Sequence, residues 1–344
     1  MRNQKDMSKK LKDIVEVMHG HVSMLIVMQD YPDPDAIASA AGLRDLANAM
    51  AGVQCFVAHG GTLGRAENRA IVKYLDLTLH DVTQIDADRF DLVAMVDTQP
   101  GTGNNSLPEG IVPQIVIDHH PMRHATRSAA FTDVRSKCGA TSTIILEYLR
   151  EANIKIEAPV ATALVYGIRS DTNDLGREAT QADIDALLAL YPLANKRALS
   201  KIETERVPRA YFQMLVEGLR NAETFGKCVV TGLGQIDNAD MIGEVADLLL
   251  RNEGTEWTMC YGFCDGKMLF SIRTSDIAAN AGRIARRVVG RRGTGGGHDS
   301  LAGGQIPMEK DTEFLRRRLE SVILQRFLRA VGVNEDSGRR LVQT

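Results

Sequence analysis

Between residues 22 and 117 the chain carries four short apolar runs, each closed by turn-forming residues. They are VSMLIVM at 22–28, VQCFVA at 53–58, LVAMV at 92–96 and QIVI at 114–117. Stretches with helical spacing accompany them, at 36–50, 65–75, 141–152 and 158–170. Short buried strands alternating with amphipathic helices predict an α/β domain on a mainly parallel sheet. Helical segments at 181–190 and 209–222 read as the way out of that domain. From Cys228 the texture changes, and CVVTGLGQI, TMCYGFCDG and KMLFSIRTS read as strands of a separate sheet, interleaved with helices near 239–251 and 276–290. The expected division is a first domain over 1–197, a connecting helical segment over 198–223, a smaller α/β domain over 224–332 and a loose polar tail over 333–344.

A chain of 344 residues suits two cores, since single domains run to ~100–200 residues. Its 44% apolar and 25% charged residues are ordinary for a globular protein. With a formal charge of −3 no global field recruits nucleic acid. Five cysteines lie scattered; Cys260 and Cys264 have no partner pair elsewhere, which argues against zinc and for reduced thiols. The start, MRNQKDMSKKLKDIVEVM, is polar rather than a signal peptide. No apolar run approaches the ~20 residues of a membrane span. The expectation is a cytoplasmic protein with no membrane partner.

Chemistry concentrates where predicted strands and helices end. Asp33 and Asp35 follow the first strand in QDYPDPDAIASA, Asp97 ends LVAMVD, Asp118 opens DHH, and Asp171 ends ATALVYGIRSD. In open α/β sheets ligands bind outside the carboxyl ends of the strands. One Asp in such a place is ordinarily a turn former or helix cap, and Asp35 before AIASA suits that role. Five carboxylates and two histidines at equivalent positions exceed what capping needs. Gathered without a cation they would repel, and some would take up protons. A divalent metal removes the conflict. Asp-rich sets with one or two imidazoles suit Mn²⁺ or Mg²⁺ better than zinc. A bridging carboxylate suggests two ions ~3.5–4 Å apart.

At these positions the sequence resembles the DHH phosphoesterases. PDPDAIAS, VDT, DHH, GATS and the Asp171 run come in the family's order, and IRTSDI with GTGGGHDSLAGG is similar to its DHHA1 signature. The resemblance implies a Mn²⁺-dependent phosphoesterase with two ions, Mg²⁺ being the substitute, and an active site in the cleft between the domains. The family includes the single-strand exonuclease RecJ, nanoRNA hydrolases that also dephosphorylate pAp, and cyclic dinucleotide phosphodiesterases. Inorganic pyrophosphatases and exopolyphosphatases share the first domain. By position, Asp33 matches a ligand of one metal and Asp35 of the other, Asp97 and Asp171 match shared ligands, and His119 matches the imidazole ligand of the second ion. The resemblance makes Asp118 the carboxylate that orients His119, and His120 a group facing the scissile phosphate. Many relatives carry His where this chain has Gln29, so the first metal site keeps at most a carbonyl oxygen there, which favours oxygen-loving cations.

In the second domain, Gly295, Gly296 and Gly297 belong to a glycine run whose N–H groups could close round an anion. His298 and Arg273 match family residues that contact the substrate. Arg283, Arg286, Arg287, Arg291 and Arg292 form a basic stretch, read mostly as solvated helix face. One Trp and few aromatics give no long stacking platform for single strands, so no long nucleic acid is expected. The expected function is hydrolysis of short linear di- or oligoribonucleotides, pGpG foremost, from the 3′ end to 5′-mononucleotides. Alternatives are 3′-phosphatase action on pAp, cyclic-dinucleotide hydrolysis and, in another class, a catalytically weak nucleotide sensor, suggested by Gln29. A homodimer is compatible with the sequence and not read from it.

Overall fold

A computed structural model describes residues 2–276, 278–297, 299–335 and 337–342. The chain forms two units, 1–206 and 207–344, each with its own cores. The first unit runs α1 (Arg2–Met18), β1 (Ser23–Val27), α2 (Pro34–Ala51), β2 (Gln54–His59), α3 (Ala66–Tyr74), β3 (Leu79–Asp81) and β4 (Leu92–Val96). It continues with β5 (Ile115–Asp118), β6 (Phe131–Val134), α4 (Thr141–Glu151), α5 (Ala158–Asp171), α6 (Gln181–Leu190) and α7 (Lys196–Glu203).

Every ladder of the first sheet is parallel, in the order β3-β2-β1-β4-β5-β6. The four apolar runs supply its inner strands. Their alternation splits the core in two: Met24 and Ile26 face the helices, whereas Leu25 and Val27 pack with Val93, Met95 and Val116 on the other side. The chain winds outward from β1 to β3 and then returns to place β4 beside β1. That reversal opens a crevice at the carboxyl ends of β1 and β4, where ligands bind in sheets of this kind. The edge strands β3, Leu-His-Asp, and β6, Phe-Thr-Asp-Val, were not expected, because short segments with polar members make no apolar run. In α2, Pro34 takes the first turn, Asp33 caps it, and Gly52 ends it in the left-handed conformation at φ +66°.

The second unit comprises α8 (Arg209–Asn221), β7 (Glu223–Phe225), β8 (Cys228–Gln235), α9 (Asp240–Leu250), β9 (Trp257–Cys264) and β10 (Lys267–Thr274). Then follow α10 (Ala281–Val289), β11 (Thr294–Gly297), β12 (Leu301–Pro307), α11 (Glu313–Ala330) and β13 (Arg339–Arg340). Its mixed sheet has the order β11-β12-β10-β9-β8-β7-β13. Residues of α10 and α11 share one core with the sheet, and residues of α8 and α9 share the other. The two units divide at Arg206, inside the segment 198–223 expected to connect them. The tail is not wholly loose: Arg339 and Arg340 pair with Thr224 and Glu223, because β7 offers an edge that would otherwise lack partners. Among the described residues no helix is long and apolar enough to cross a membrane. The five cysteines are free thiols.

Candidate metal centre

The parallel sheet delivers its loops to one edge: β1 leads to Gln29, Asp33 and Asp35, β4 to Asp97, and β5 to Asp118, His119 and His120. Two helices complete the set. The first turn of α4 meets Asp35, and α5 ends on Asp171.

Asp35 is fully buried, and both its oxygens accept backbone N–H groups of α4. Oδ2 accepts from Thr141 at 2.7 Å and Oδ1 from Ser142 at 2.8 Å. Ala140 offers α4 no side-chain cap, so a carboxylate 106 residues away does that work. The GATS run at 139–142 is thus the helix start that grips Asp35. Gly167 of α5 permits the approach, because a Cβ there would fall 2.6 Å from Ser142 Oγ and 3.1 Å from Asp35 Cα.

Asp97 is fully buried and sits at φ +58°, a backbone conformation uncommon outside glycine. Thr141 Oγ1 donates to its Oδ1 at 2.9 Å, while its Oδ2 is buried with no hydrogen-bond partner. His119 donates from Nδ1 to the Cys138 carbonyl at 3.2 Å. Its Nε2 lies 3.1 Å from Asp171 Oδ2 and 3.4 Å from Asp97 Oδ1. Ligand atoms of Asp35, Asp97, His119 and Asp171 all lie within 4.8 Å of one another, and Asp97, His119 and His120 form a second such group. Asp33 stands in neither group. Its Oδ1 accepts from Ala36 N–H at 3.0 Å and its Oδ2 from Gln29 Nε2 at 2.8 Å. Gln29 therefore braces Asp33 through its amide nitrogen.

Asp118 does not orient His119 as the resemblance implied. Its Oδ1 accepts from His120, at 2.7 Å from Nδ1 and 3.2 Å from the backbone N–H. The orientation of His119 comes instead from a backbone carbonyl, the usual alternative for a ligating imidazole.

The electrostatics are those of a cation site. Burial and the charge of Asp171 push Asp33 up to about 6 and Asp35 up to about 7. Burial, then Asp33, Asp35 and Asp171, hold Asp97 well above the usual carboxylate range. Burial alone would lower His119, but the hydrogen bond and charge of Asp171, with Asp35 and Asp118, push it up to about 10. Burial likewise opposes ionisation of Asp118, yet the charge and hydrogen bond of His120 hold it down to about 2. Converging acids that would rather be neutral, and a buried Asp97 oxygen without a partner, are what a divalent cation satisfies. Three carboxylates and one imidazole suit Mn²⁺ or Mg²⁺. The residues present fit such an ion.

The second unit differs from expectation. Arg273 is buried, and its guanidinium is committed to Asp247 at 2.6 Å, to Ser271 and to the Ile272 carbonyl. It braces β10 against α9 rather than standing open to an anion. Gly295, Gly296 and Gly297 lie in β11, paired with Gly304, Gly303 and Ala302 of β12. Smallness serves packing here: a Cβ on Gly295 would fall 3.1 Å from the Ala285 carbonyl oxygen of α10, and one on Gly297 2.5 Å from Ala302 Cα. His298 lies outside the described residues. Arg283, Arg286 and Arg287 are exposed on α10 and Arg291 and Arg292 just beyond it, while Ile284, Ala285, Val288 and Val289 are buried.

Two buried polar residues escaped the reading of the sequence. Gln99 donates to Asp118 Oδ2 at 2.6 Å. Asp183 accepts from Gly139 N–H at 2.9 Å and from Thr143 Oγ1 at 2.6 Å, anchoring the start of α4. Gln99 had a signal, two residues after Asp97 in VDTQ. Asp183 had only that of a capping box with Thr180, which accounts for it locally.

Residues 24–168 match the DHH family, N-terminal domain, and residues 225–325 match the DHHA1 domain. An uncharacterized protein of Methanocaldococcus jannaschii is 34% identical over 320 residues, which is 91% of this chain and 65% of that protein. The chain thus spans about two thirds of that relative's length. A probable manganese-dependent inorganic pyrophosphatase of Listeria welshimeri is 28% identical over 141 residues, 41% of this chain and 45% of its own. In fold, the chain is similar to an exopolyphosphatase-related protein from Bacteroides fragilis, with a TM-score of 0.70 at 15% identity, covering 94% of this chain and 98% of that one. With both domain matches in sequence order and the motif residues gathered at one sheet edge, the chain belongs to the DHH family and joins a DHH N-terminal domain to a DHHA1 domain.

Proposed function

We propose that this protein is a Mn²⁺-dependent phosphodiesterase that hydrolyses short linear ribonucleotides, pGpG foremost, to 5′-mononucleotides. The observation that carries the reading is the convergence of Asp35, Asp97, Asp171 and His119 within 4.8 Å, around an Asp97 oxygen that has no hydrogen-bond partner. Asp35, Asp97, His119 and Asp171 would hold one ion, and Asp33, braced by Gln29, would serve a second. A bound divalent cation supplies neutralisation of phosphoryl charge and an acidified water. The chain's own part is positional: α4 holds Asp35, the Cys138 carbonyl holds the His119 ring, and Asp118 holds His120 for proton transfer near the phosphate. A short substrate is favoured because aromatic residues are few and the one tryptophan, Trp257, is buried against Phe327.

The test is turnover in Mn²⁺ of pGpG, GpG, an RNA heptamer, pAp, cyclic dinucleotides and inorganic pyrophosphate. Release of GMP from pGpG faster than any other reaction is expected. Asp97→Asn and His119→Ala should each lower it by more than the ~10–100-fold typical of residues that only support a ligand. Pyrophosphate as the preferred substrate would replace the nucleotide reading. No turnover of any phosphoester by a protein that binds Mn²⁺ would leave the sensor.

A further inference from the structure

Gln99 is fully buried, yet every polar atom of its carboxamide is used. Nε2 donates to Asp118 Oδ2 at 2.6 Å and to the Pro121 carbonyl at 3.2 Å. Oε1 accepts from Arg123 N–H and from Thr126 Oγ1, both at 2.8 Å. The two ends have different consequences. The oxygen end ties down the loop after His120. The nitrogen end fills one oxygen of Asp118, whose other oxygen receives His120 Nδ1 at 2.7 Å. A carboxylate pinned on one side cannot swing about its Cβ–Cγ bond. His120 therefore meets an acceptor at one fixed position, which sets both its ring plane and its tautomer: the proton stays on Nδ1 and acid–base chemistry falls to Nε2.

We infer that Gln99 is a positioning residue for His120, acting through Asp118. The inference rests on the phosphoesterase reading only for its kinetic consequence; the alignment of the ring is a property of the protein itself. Gln99→Glu is the decisive change. It is nearly isosteric and keeps an oxygen for Arg123 and Thr126, but at pH 8.5 it sets a second carboxylate against Asp118 and leaves the Pro121 carbonyl without its donor. Thr126→Val does the reverse, loosening the loop while sparing the contact with Asp118.

The first measurement needs no substrate. In Mg²⁺-loaded protein with ¹⁵N-labelled histidine, the hydrogen-bonded Nδ1–H signal of His120, assigned by its loss in His120→Ala, is expected in the wild type and in Thr126→Val and absent from Gln99→Glu. The second is kinetic: Gln99→Glu should lower kcat for pGpG about 10-fold or more, with KM and Mn²⁺ binding by calorimetry unchanged. Thr126→Val should keep kcat within about twofold. The double change Q99E/D118N restores a donor facing an acceptor between residues 99 and 118 with the direction reversed, but not the bond to the Pro121 carbonyl, so it should recover the signal and part of kcat, and it guards against a poorly folded single variant. Persistence of the His120 signal in Gln99→Glu, or an equal fall of kcat in Thr126→Val, overturns the inference. A wild type that shows the signal pattern but cleaves no phosphoester defeats the phosphoesterase reading and leaves the positioning intact.

Discussion

At the scale of single residues, the cost of the site is concentrated in Asp97. Its backbone is left-handed, a conformation that Asp tolerates better than most residues with a Cβ, and it is surrounded by Asp33, Asp35 and Asp171. Protons relieve part of this crowding when no metal does. Asp33 near 6 and Asp35 near 7 lie above the value of ~3.9 that an unfolded Asp has. Between those values the folded chain binds more protons than the unfolded one, so stability falls as pH rises. His119, raised to about 10, adds a loss of the same sign over the more alkaline range. The thermal midpoint of metal-free protein should thus decline steadily from about pH 5 to about pH 9. Saturating Mn²⁺ should rescue the alkaline end most, because the cation takes the place of the protons. Calorimetry with and without chelator checks this, and a metal-free midpoint that rose with pH would refute it.

Among elements, the decisive contact is that of α4 and α5 with Asp35. Gly167→Ala should push Ser142 and Asp35 apart, at ~1–3 kcal/mol for overpacking, and weaken Mn²⁺ binding about 10-fold. Chemical denaturation and calorimetric titration measure the two effects, and a stability loss with unchanged Mn²⁺ affinity would separate this packing from the site. The same contact shows where the sequence was legible. The inner strands and α2 to α6 could be read because each buries a continuous or periodic apolar face. Asp33, Asp35, Asp97 and the DHH run could be located because they follow those strands, and Asp171 because it closes a helical run; the role of His119 came from the resemblance. That GATS is a helix start gripping Asp35 could not, since it depends on two backbone N–H groups meeting a carboxylate 106 residues away. Nor could the partner of Asp118, because the neighbouring rings His119 and His120 differ only in which way each turns. The glycine run carries two readings at once, because glycine serves a close approach of helix to strand as well as it serves an anion.

For the whole molecule, the candidate ligands all belong to the unit 1–206, whereas Trp257, the one tryptophan, belongs to the other. Its ring packs on Phe327, so its fluorescence reports the second unit. Mn²⁺ should therefore raise the unfolding temperature read by hydrogen exchange in β1, β4 and β5 while leaving the Trp257 transition in place. A Trp257 transition that moved in step would mean that the units unfold as one. Within the first unit, the shared direction of the six strands divides labour between the two ends of the sheet. The carboxyl ends of the strands lead to every candidate ligand but Asp171, which ends α5; the turns at the amino ends, at 52–53, 77–78 and 90–91, carry none. That second end is spare ground. A loop lengthened at Gly52, where a Cβ would meet nothing within 4 Å, lies a strand's length of roughly 17 Å from the reactive edge. Insertions accumulated by drift, or a tether added to fix the protein to a surface, have room there without touching the chemistry.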